Sequence, residues 1–480
     1  GNPFTFTGGE SSFTRYLQQT TPGTLTIKAE SATASTTSTI EFVNTVLRIA
    51  QNSALENIPT QVAGVNGSAI AKVISTNPKT GVCEARVASK TLPVDLGFSC
   101  NNPTTCVSLQ TLMVNGVAIA ANNNGAAVSY NSVNLAFNAS GEAPMAINYS
   151  DVGQVTLHGR LKITASGNDP ELTLSANSNP FVVKPYTLAV TSAVQAAAPF
   201  KANPGGTSNS TQGFIPAGEK FTVNVQARNA LGNPTPNFGN EILVGGLSAE
   251  RNKIQLLMGC PERNTSLDAS CGTRRPDYPL GAVAGNLIIG EDNNSDGITD
   301  PYGALAAGAI IPGVWNEVGS FKLEPNLSGT GYLGQGNVSV ITPSGILGRF
   351  YPSHFTLISS ALANSCGSFS YMQQPLTLSY TIEARGVANN KLANYTSAYG
   401  TMPSISYVAE NANSGVNLSR FTAGAVPTWS AGELLLNSSA ASFSRLAPNY
   451  APDGPFESVQ VGLQLSDTFD SRSLQNLNMN

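Results

Sequence analysis

From Val225 to Phe238 the chain reads VQARNALGNPTPNF, and from Ile382 to Tyr395, at an offset of 157, it reads IEARGVANNKLANY. The two stretches align without gaps, with Arg228 on Arg385 and Asn237-Phe238 on Asn394-Tyr395. A second pair, Asp151-Val152-Gly153-Gln154-Val155-Thr156-Leu157 and Glu317-Val318-Gly319-Ser320-Phe321-Lys322-Leu323, recurs at an offset of 166. NPFVVKPYTLAV, around Pro185-Tyr186, is answered by GRFYPSHFTLIS, around His354-Phe355. Repetition at this interval restricts the chain to tandem copies of one folding unit. A chain of 480 residues is also too long for a single core.

The type of unit follows from the apolar spacing. In Phe221-Thr222-Val223-Asn224-Val225-Gln226-Ala227 every second residue is apolar, the period of a strand with one face in a core. Such runs are short and are parted by NPG, NPT, NNG, GND and APDG, which return a chain antiparallel to itself. Only 11% of residues are charged, against about 25% in ordinary soluble proteins, so the Glu, Lys and Arg that cover helices are scarce. The spacing predicts an all-β chain of three tandem immunoglobulin-like β-sandwich domains. The limits expected are an N-terminal arm at 1–23 and sandwiches at 24–178, 179–348 and 349–480, the second carrying an Asp-rich loop and the third truncated. One short helix is the most that TIEFVNTVLRIAQNSALENI allows, because Thr39, Val43, Thr45, Val46 and Ile49 are β-branched.

Several classes of function find no support. A net charge of −4 with 25 thinly spread basic residues gives no electrostatic footprint for nucleic acid or anionic lipid. The apolar run Leu305 to Ile311 is far short of the ~20 residues of a membrane helix and is followed by Pro312. GNPFTFTGGESSF lacks the features of a signal peptide, so either a leader has been removed or the chain is a piece of a longer one. HExxH, GxSxG and GxxxxGK[ST] are absent, and His158 and His354 fall near equivalent unit boundaries, where a structural role is expected. Asp151 and Glu317 recur with the unit and are expected to serve the fold. Arg228 and Arg385 are expected to fix turns by donating to carbonyls. Trp315 and Trp429 read as core residues, with stacking on a sugar as the alternative. The chain is read as no enzyme.

Six cysteines without a C-x-x-C pair fit an oxidising compartment better than zinc. A disulfide between Cys260 and Cys271 would pin the polar segment between them. Cys83 and Cys100 would oppose each other in a hairpin turning between Thr91 and Leu92, but Cys106 competes, and the pairing of Cys83, Cys100, Cys106 and Cys366 stays open.

The densest set of side-chain oxygens is EDNNSDGITD, from Glu291 to Asp300. Asp292, Asn294 and Asp296 occupy positions one, three and five of a calcium loop, Gly297 permits the turn, and Ile298 offers its carbonyl with Asp300 at position nine. Position twelve is Gly303 where an EF-hand needs a bidentate Glu, so no EF-hand is present. Three aspartates this close repel one another without a cation, and Ca2+ is the expected occupant. The loop resembles the nine-residue Asp-rich loops of β proteins, including that of PilY-type pilus-tip adhesins.

CEARVASKTLPVDLGFSCNNPTTC, NYSDVGQVTLHGRL, FTVNVQARNALGNPTPNF, SCGSFSYMQQPLTLSYTIEARG and DGPFESVQVGLQLSD, in this order, resemble the C-terminal region of MshQ-like proteins, encoded with mannose-sensitive haemagglutinin pili of Gram-negative bacteria. The likeness runs from about residue 40 to the end. In that family the region follows a lectin-like or laminin-G-like sandwich and continues further, so the resemblance implies a fragment or processed form. It also implies an extracellular or cell-surface location, type IV pilus biogenesis or cell adhesion as the process, and pilus proteins, surface proteins or surface glycans as partners. The function expected is that of a non-enzymatic pilus- or surface-associated structural and adhesive protein. The alternatives are a carbohydrate-binding accessory region of a secreted hydrolase and a filament subunit that exchanges an edge strand through GNPFTFTGGESSFTRY.

Overall fold

The computed structural model describes residues 23–30, 35–42, 45–76, 82–107, 109–164, 171–206, 210–242, 249–258, 262–263, 266–267, 287–289, 303–305, 307–327, 329–338, 340–342, 344–396, 403–411, 420–424, 426–445, 454–476 and 478–479. Among these the chain is strand almost throughout, with one four-residue helix at Ala249–Asn252 and one turn of 3-10 helix at Tyr332–Gly334. Three β-sandwiches follow one another, as the period-two spacing and the repeats predict.

In the first sandwich one sheet runs in the order Thr45–Ala50, Gly67–Thr76, Glu142–Tyr149, Leu112–Val114 and Val117–Ala118. The facing sheet centres on Lys90–Asn102 and Gly153–Ile163, with Phe181–Lys184 and Gln61–Val62 beyond. In the second, Thr187–Gln195, Lys220–Arg228 and Gly308–Trp315 pair antiparallel and face the strands Gly319–Phe321, Leu323–Leu327 and Leu347–Phe350. In the third, His354–Ala363, Leu376–Arg385 and Glu433–Phe443 face Ser404–Asn411, Val459–Asp467 and Arg472–Asn476. Strand Phe181–Lys184 thus belongs to the first sandwich and Leu347–Phe350 to the second.

Alternation explains these strands. Phe221, Val223, Val225 and Ala227 are wholly buried on one face of Lys220–Arg228, while Leu378, Tyr380, Ile382 and Ala384 do the same on Leu376–Arg385. Each large apolar side chain so buried contributes about 1.5–3 kcal/mol, and a one-residue slip would turn the whole set to solvent. The repeat extends to irregularities: Thr187 pairs with Arg228 and His354 with Arg385, and the first strand of each pair bulges at Val190/Ser192 and at Leu357/Ser359.

The structure corrects some expectations. Within the limit of one short helix, none forms between Thr45 and Ile58: Thr45–Ala50 is a strand, as its β-branched residues favour, and a turn-rich segment follows. Lys90–Asn102 runs straight through Thr91 and Leu92, so the hairpin that would bring Cys83 to Cys100 does not exist. Cys100 is instead bonded to Cys106, with Cα atoms 5.4 Å apart, while Cys83 is an exposed free thiol and Cys366 a partly buried one. Cys260 and Cys271, the loop with Asp292, Asn294, Asp296, Ile298 and Asp300, and the arm GNPFTFTGGESSFTRY lie outside the described residues.

Candidate functional site at the junctions between units

The repeated motifs meet where one sandwich joins the next. Asp151 precedes strand Gly153–Ile163 at the end of the first unit and has no solvent exposure. Its Oδ1 accepts the N–H of Val152 at 2.9 Å and, from the second unit, the N–H of Asn237 at 3.1 Å. Asn237 Nδ2 donates to the Tyr149 hydroxyl and to the Val152 carbonyl. Nearby, Asn229 Nδ2 donates to Ser150 O, and Ala230 N donates to Ala63 O at 2.9 Å. The second unit's turn, residues 229–238, is thereby held between the first unit's 51–66 loop and the residues leading to its Asp-Val-Gly strand.

The second junction repeats the first nearly bond for bond. Glu317, 2% exposed, accepts the N–H of Ala393 at 2.9 Å and of Asn394 at 3.0 Å from the third unit. Asn390 Nδ2 donates to Asn316 O, and Val387 N donates to Ala217 O at 2.9 Å. Even the loop contacts correspond: Gly64 N donates to Tyr149 O and Gly218 N to Trp315 O, while Ala63 N donates to Lys184 O and Ala217 N to Tyr351 O. The glycine of each Asp/Glu-Val-Gly motif has positive φ, 130° at Gly153 and 109° at Gly319, where the strand bulges. A Cβ on Gly153 would lie 2.6 Å from Asn102 O, which accounts for glycine there.

Apolar packing also crosses both joins. The first and second units share one continuous buried cluster, and Ala217 and Val318 of the second pack into the core of the third. The second junction adds a buried ion pair, Arg349 to both carboxylate oxygens of Asp470 at 2.6 Å, with Arg349 also donating to Thr211 O. Sequence reasoning missed this pair, whose members stand 121 residues apart and are marked by no repeat.

Burial pushes the Asp151 carboxyl up to about 7, against the opposing pull of the N–H groups of Val152 and Asn237. Burial likewise raises Glu241 to about 7, although the Tyr332 hydroxyl and the Gly239 N–H donate to it. The Tyr149 hydroxyl is pushed up, first by burial and then by Asp151.

The other singled-out residues are structural. Trp315 packs on Phe321, and Trp429 on Tyr395 and Phe355, both side chains buried, so neither can offer a face to a sugar at the surface. Arg385 donates to the turn carbonyl of Asn389 and to Glu383, as expected of a turn-fixing arginine, whereas Arg228 donates to the side chain of Gln226. His354 bonds Asn389 on the adjoining turn. His158 joins Ser99 through Nε2 and Asn177 through Nδ1, each at 2.7 Å, an arrangement formally like a nucleophile, base and orienting amide. The same sheet face carries Arg160 on Asp95 and Asn101 on Thr156, so the three form one rung of a polar cross-strand ladder. Among the described residues no group of three or more His, Cys, Asp or Glu side chains could hold a metal, and no helix is long and apolar enough to cross a membrane.

Sandwiches fastened end to end in this way define a chain of tandem immunoglobulin-like domains. The chain belongs to the three-domain DUF6701 family. Residues 25–177 match its first, Ig-like domain of unknown function, 184–265 its second domain and 317–480 its third. No curated protein sequence matches the chain. Among solved structures it is similar to invasin, a bacterial integrin-binding protein (10% identity, TM-score 0.30, 91% of this chain and 60% of that one). It is also similar to InvD of Yersinia pseudotuberculosis (11%, 0.26, 91% and 98%) and to domains 4–9 of the surface layer protein SbsC (10%, 0.17, 95% and 69%). The chain spans about three fifths of the invasin structure's length.

Proposed function

We propose that the chain is a non-enzymatic, extracellular structural and adhesive protein, associated with a pilus or with the cell surface of a Gram-negative bacterium, in which rigidly coupled sandwiches act as a stalk. The observation that carries this reading is the repeated junction: buried carboxylates and shared core residues serve to fix one unit on the next, a demand made of a stalk and not of a catalyst. The resemblance to MshQ-like proteins supports the pilus assignment, and the Cys100–Cys106 disulfide suits an oxidising location. We place the joins just after strands Phe181–Lys184 and Leu347–Phe350, which pair within the first and second sandwiches, rather than at 178 and 348. We further propose that Asp292, Asn294, Asp296, Ile298 and Asp300 bind Ca2+ and that Cys260 and Cys271 are bridged.

Protease treatment and antibody labelling of intact cells test the location. Loss of the chain from protease-treated cells, with cytoplasmic markers intact, is the expected result, and an adhesion defect on deleting its gene is the second. Full protection of the chain in unbroken cells would overturn the reading.

A further inference from the structure

The only disulfide among the described residues, Cys100–Cys106, stands at the first junction. Between its two cysteines lies Asn102, the last residue of strand Lys90–Asn102, which reaches across the join. Asn102 Oδ1 accepts the N–H of Ile242 at 2.8 Å, and Nδ2 donates to the Ile242 carbonyl at 3.4 Å. The carbonyl of Asn102 faces Gly153, two residues after the junction carboxylate of Asp151. The Cys100 sulfur lies 4.0 Å from the Tyr149 hydroxyl, which accepts from Asn237 Nδ2 of the second unit. The bond therefore backs two of the contacts that hold the second sandwich on the first.

Without the bond, hydrogen bonds alone would position this loop. Asn124 N donates to Thr104 O at 2.8 Å and Cys106 N to Asn123 Oδ1 at 3.0 Å, so both anchor its far half. On the near side the ladder is already irregular, because pairing with Gly153–Ile163 shifts register between Gln154, which faces Asn102, and Val155, which faces Cys100. Closing so short a ring removes backbone freedom that such hydrogen bonds leave partly in place. Exposure separates the two sulfurs' residues: Cys100 is buried in the core, whereas Cys106 is partly exposed and is the one an incoming thiolate meets. The second junction is tied instead by the ion pair of Arg349 and Asp470, on which a thiol has no purchase.

We propose that the Cys100–Cys106 bond is a redox latch on the first junction, fastening the second sandwich to the first while oxidised and loosening it when a dithiol reduces it. A thiolate of the reductant attacks Cys106 Sγ, the S–S bond breaks, and Cys100 Sγ leaves and takes up a proton. The reductant's second thiol then displaces Cys106 Sγ, which also takes up a proton. The chain thus gains two thiols as the dithiol becomes a cyclic disulfide. Asn102 is then held by hydrogen bonds alone, and its pair with Ile242 weakens. Reduction leaves the chain with one loosened joint and one fixed joint. This goes beyond the cell-surface reading and stands without it, since it rests on the geometry of the junctions.

The test is hydrogen exchange of the full chain with and without dithiothreitol. The amides of Ile242 and Asn237 should exchange about tenfold faster on reduction, the contribution of one hydrogen bond, and recover on reoxidation. Val94 in the first core and Asn394 at the second junction should hold their rates, which also shows that the chain remains folded. Cys106→Ser should reproduce the fast rates without reductant and abolish the response to it at these amides, which separates this bond from a bridge between Cys260 and Cys271. Asn102→Ala should exchange fast at Ile242 from the start and gain little on reduction. Unchanged rates at Ile242 and Asn237 in the reduced chain overturn the proposal. So does faster exchange throughout the first sandwich, which makes the bond a general brace, and so does a full response at Ile242 in either variant.

Discussion

Replacing Asp151 by Ala removes the acceptor of two buried N–H groups, those of Val152 and Asn237, at a position with no solvent exposure. An orphaned buried donor costs about 1–3 kcal/mol, so the junction should lose about 2–6 kcal/mol. Because each 1.4 kcal/mol is a factor of about ten, hydrogen exchange at the Asn237 amide should speed up by roughly thirtyfold or more. Asp151→Asn keeps Oδ1 as acceptor and should cost only about 1 kcal/mol. The two variants also separate the hydrogen bonds from the charge. With the folded-state value raised to about 7, the folded protein holds a proton that the unfolded chain has already released. The stability associated with the protonated carboxyl is therefore complete at low pH and is lost as pH rises through about 4 to 7, by up to about 1.4 kcal/mol per pH unit. Asp151→Asn should flatten part of that slope, and Glu241, raised to about 7 by burial, should retain the rest. The assay is exchange of residues 229–240 at several pH values, corrected for the intrinsic rate. An Ala variant within threefold of wild type, or an Asn variant with the full pH slope, would refute the reasoning.

Other perturbations test neighbouring parts of the account. Gly153→Ala, at φ 130° and with its Cβ 2.6 Å from Asn102 O, should lower stability by about 1–3 kcal/mol in urea unfolding. Gly345→Ala, with nothing within 4 Å of its Cβ, should change it by less than about 1 kcal/mol. Arg349→Met leaves Asp470 buried without its ion partner and should weaken the second junction by about 3–5 kcal/mol, and a compensating Asp470→Leu should recover part of that in a double-mutant cycle. If EDNNSDGITD binds Ca2+, chelation should lower the melting temperature and Asp296→Ala should abolish the response, whereas a melting curve indifferent to chelator removes the site. Mass spectrometry of an unreduced digest should recover Cys260 and Cys271 in one linked peptide, and free thiols at both would exclude the bridge.

Legibility followed periodicity. Phe221, Val223, Val225 and Ala227 declare a strand because alternation encodes burial directly, and the offset between Val225 and Ile382 declares a tandem chain. The sequence also shows that Asp151 and Glu317 recur. It does not show that each grips the other repeated motif, because the two motifs recur at different offsets and their contact spans a domain boundary. Arg349 and Asp470 were hidden for a similar reason: a pair 121 residues apart leaves no local pattern. Segment 45–58 shows a different limit, since its β-branched residues favour a strand yet leave room for one short helix, and pairing with Gly67–Thr76 settles Thr45–Ala50 as a strand. The cysteines were illegible because pairing depends on where the strand ends, and Lys90–Asn102 continues past the expected turn to place Cys100 beside Cys106.

The central claim, that the carboxylate junctions make three sandwiches one rigid body, is tested most directly by a distance across them. Ser132 and Ser438 are exposed on the first and third units and can be changed to Cys and spin-labelled after Cys83 and Cys366 are replaced by Ser. Pulsed dipolar spectroscopy should give one narrow distance distribution that broadens when Asp151 or Glu317 is changed to Ala. A broad distribution in the parent chain, or a narrow one that survives both substitutions, would contradict the account.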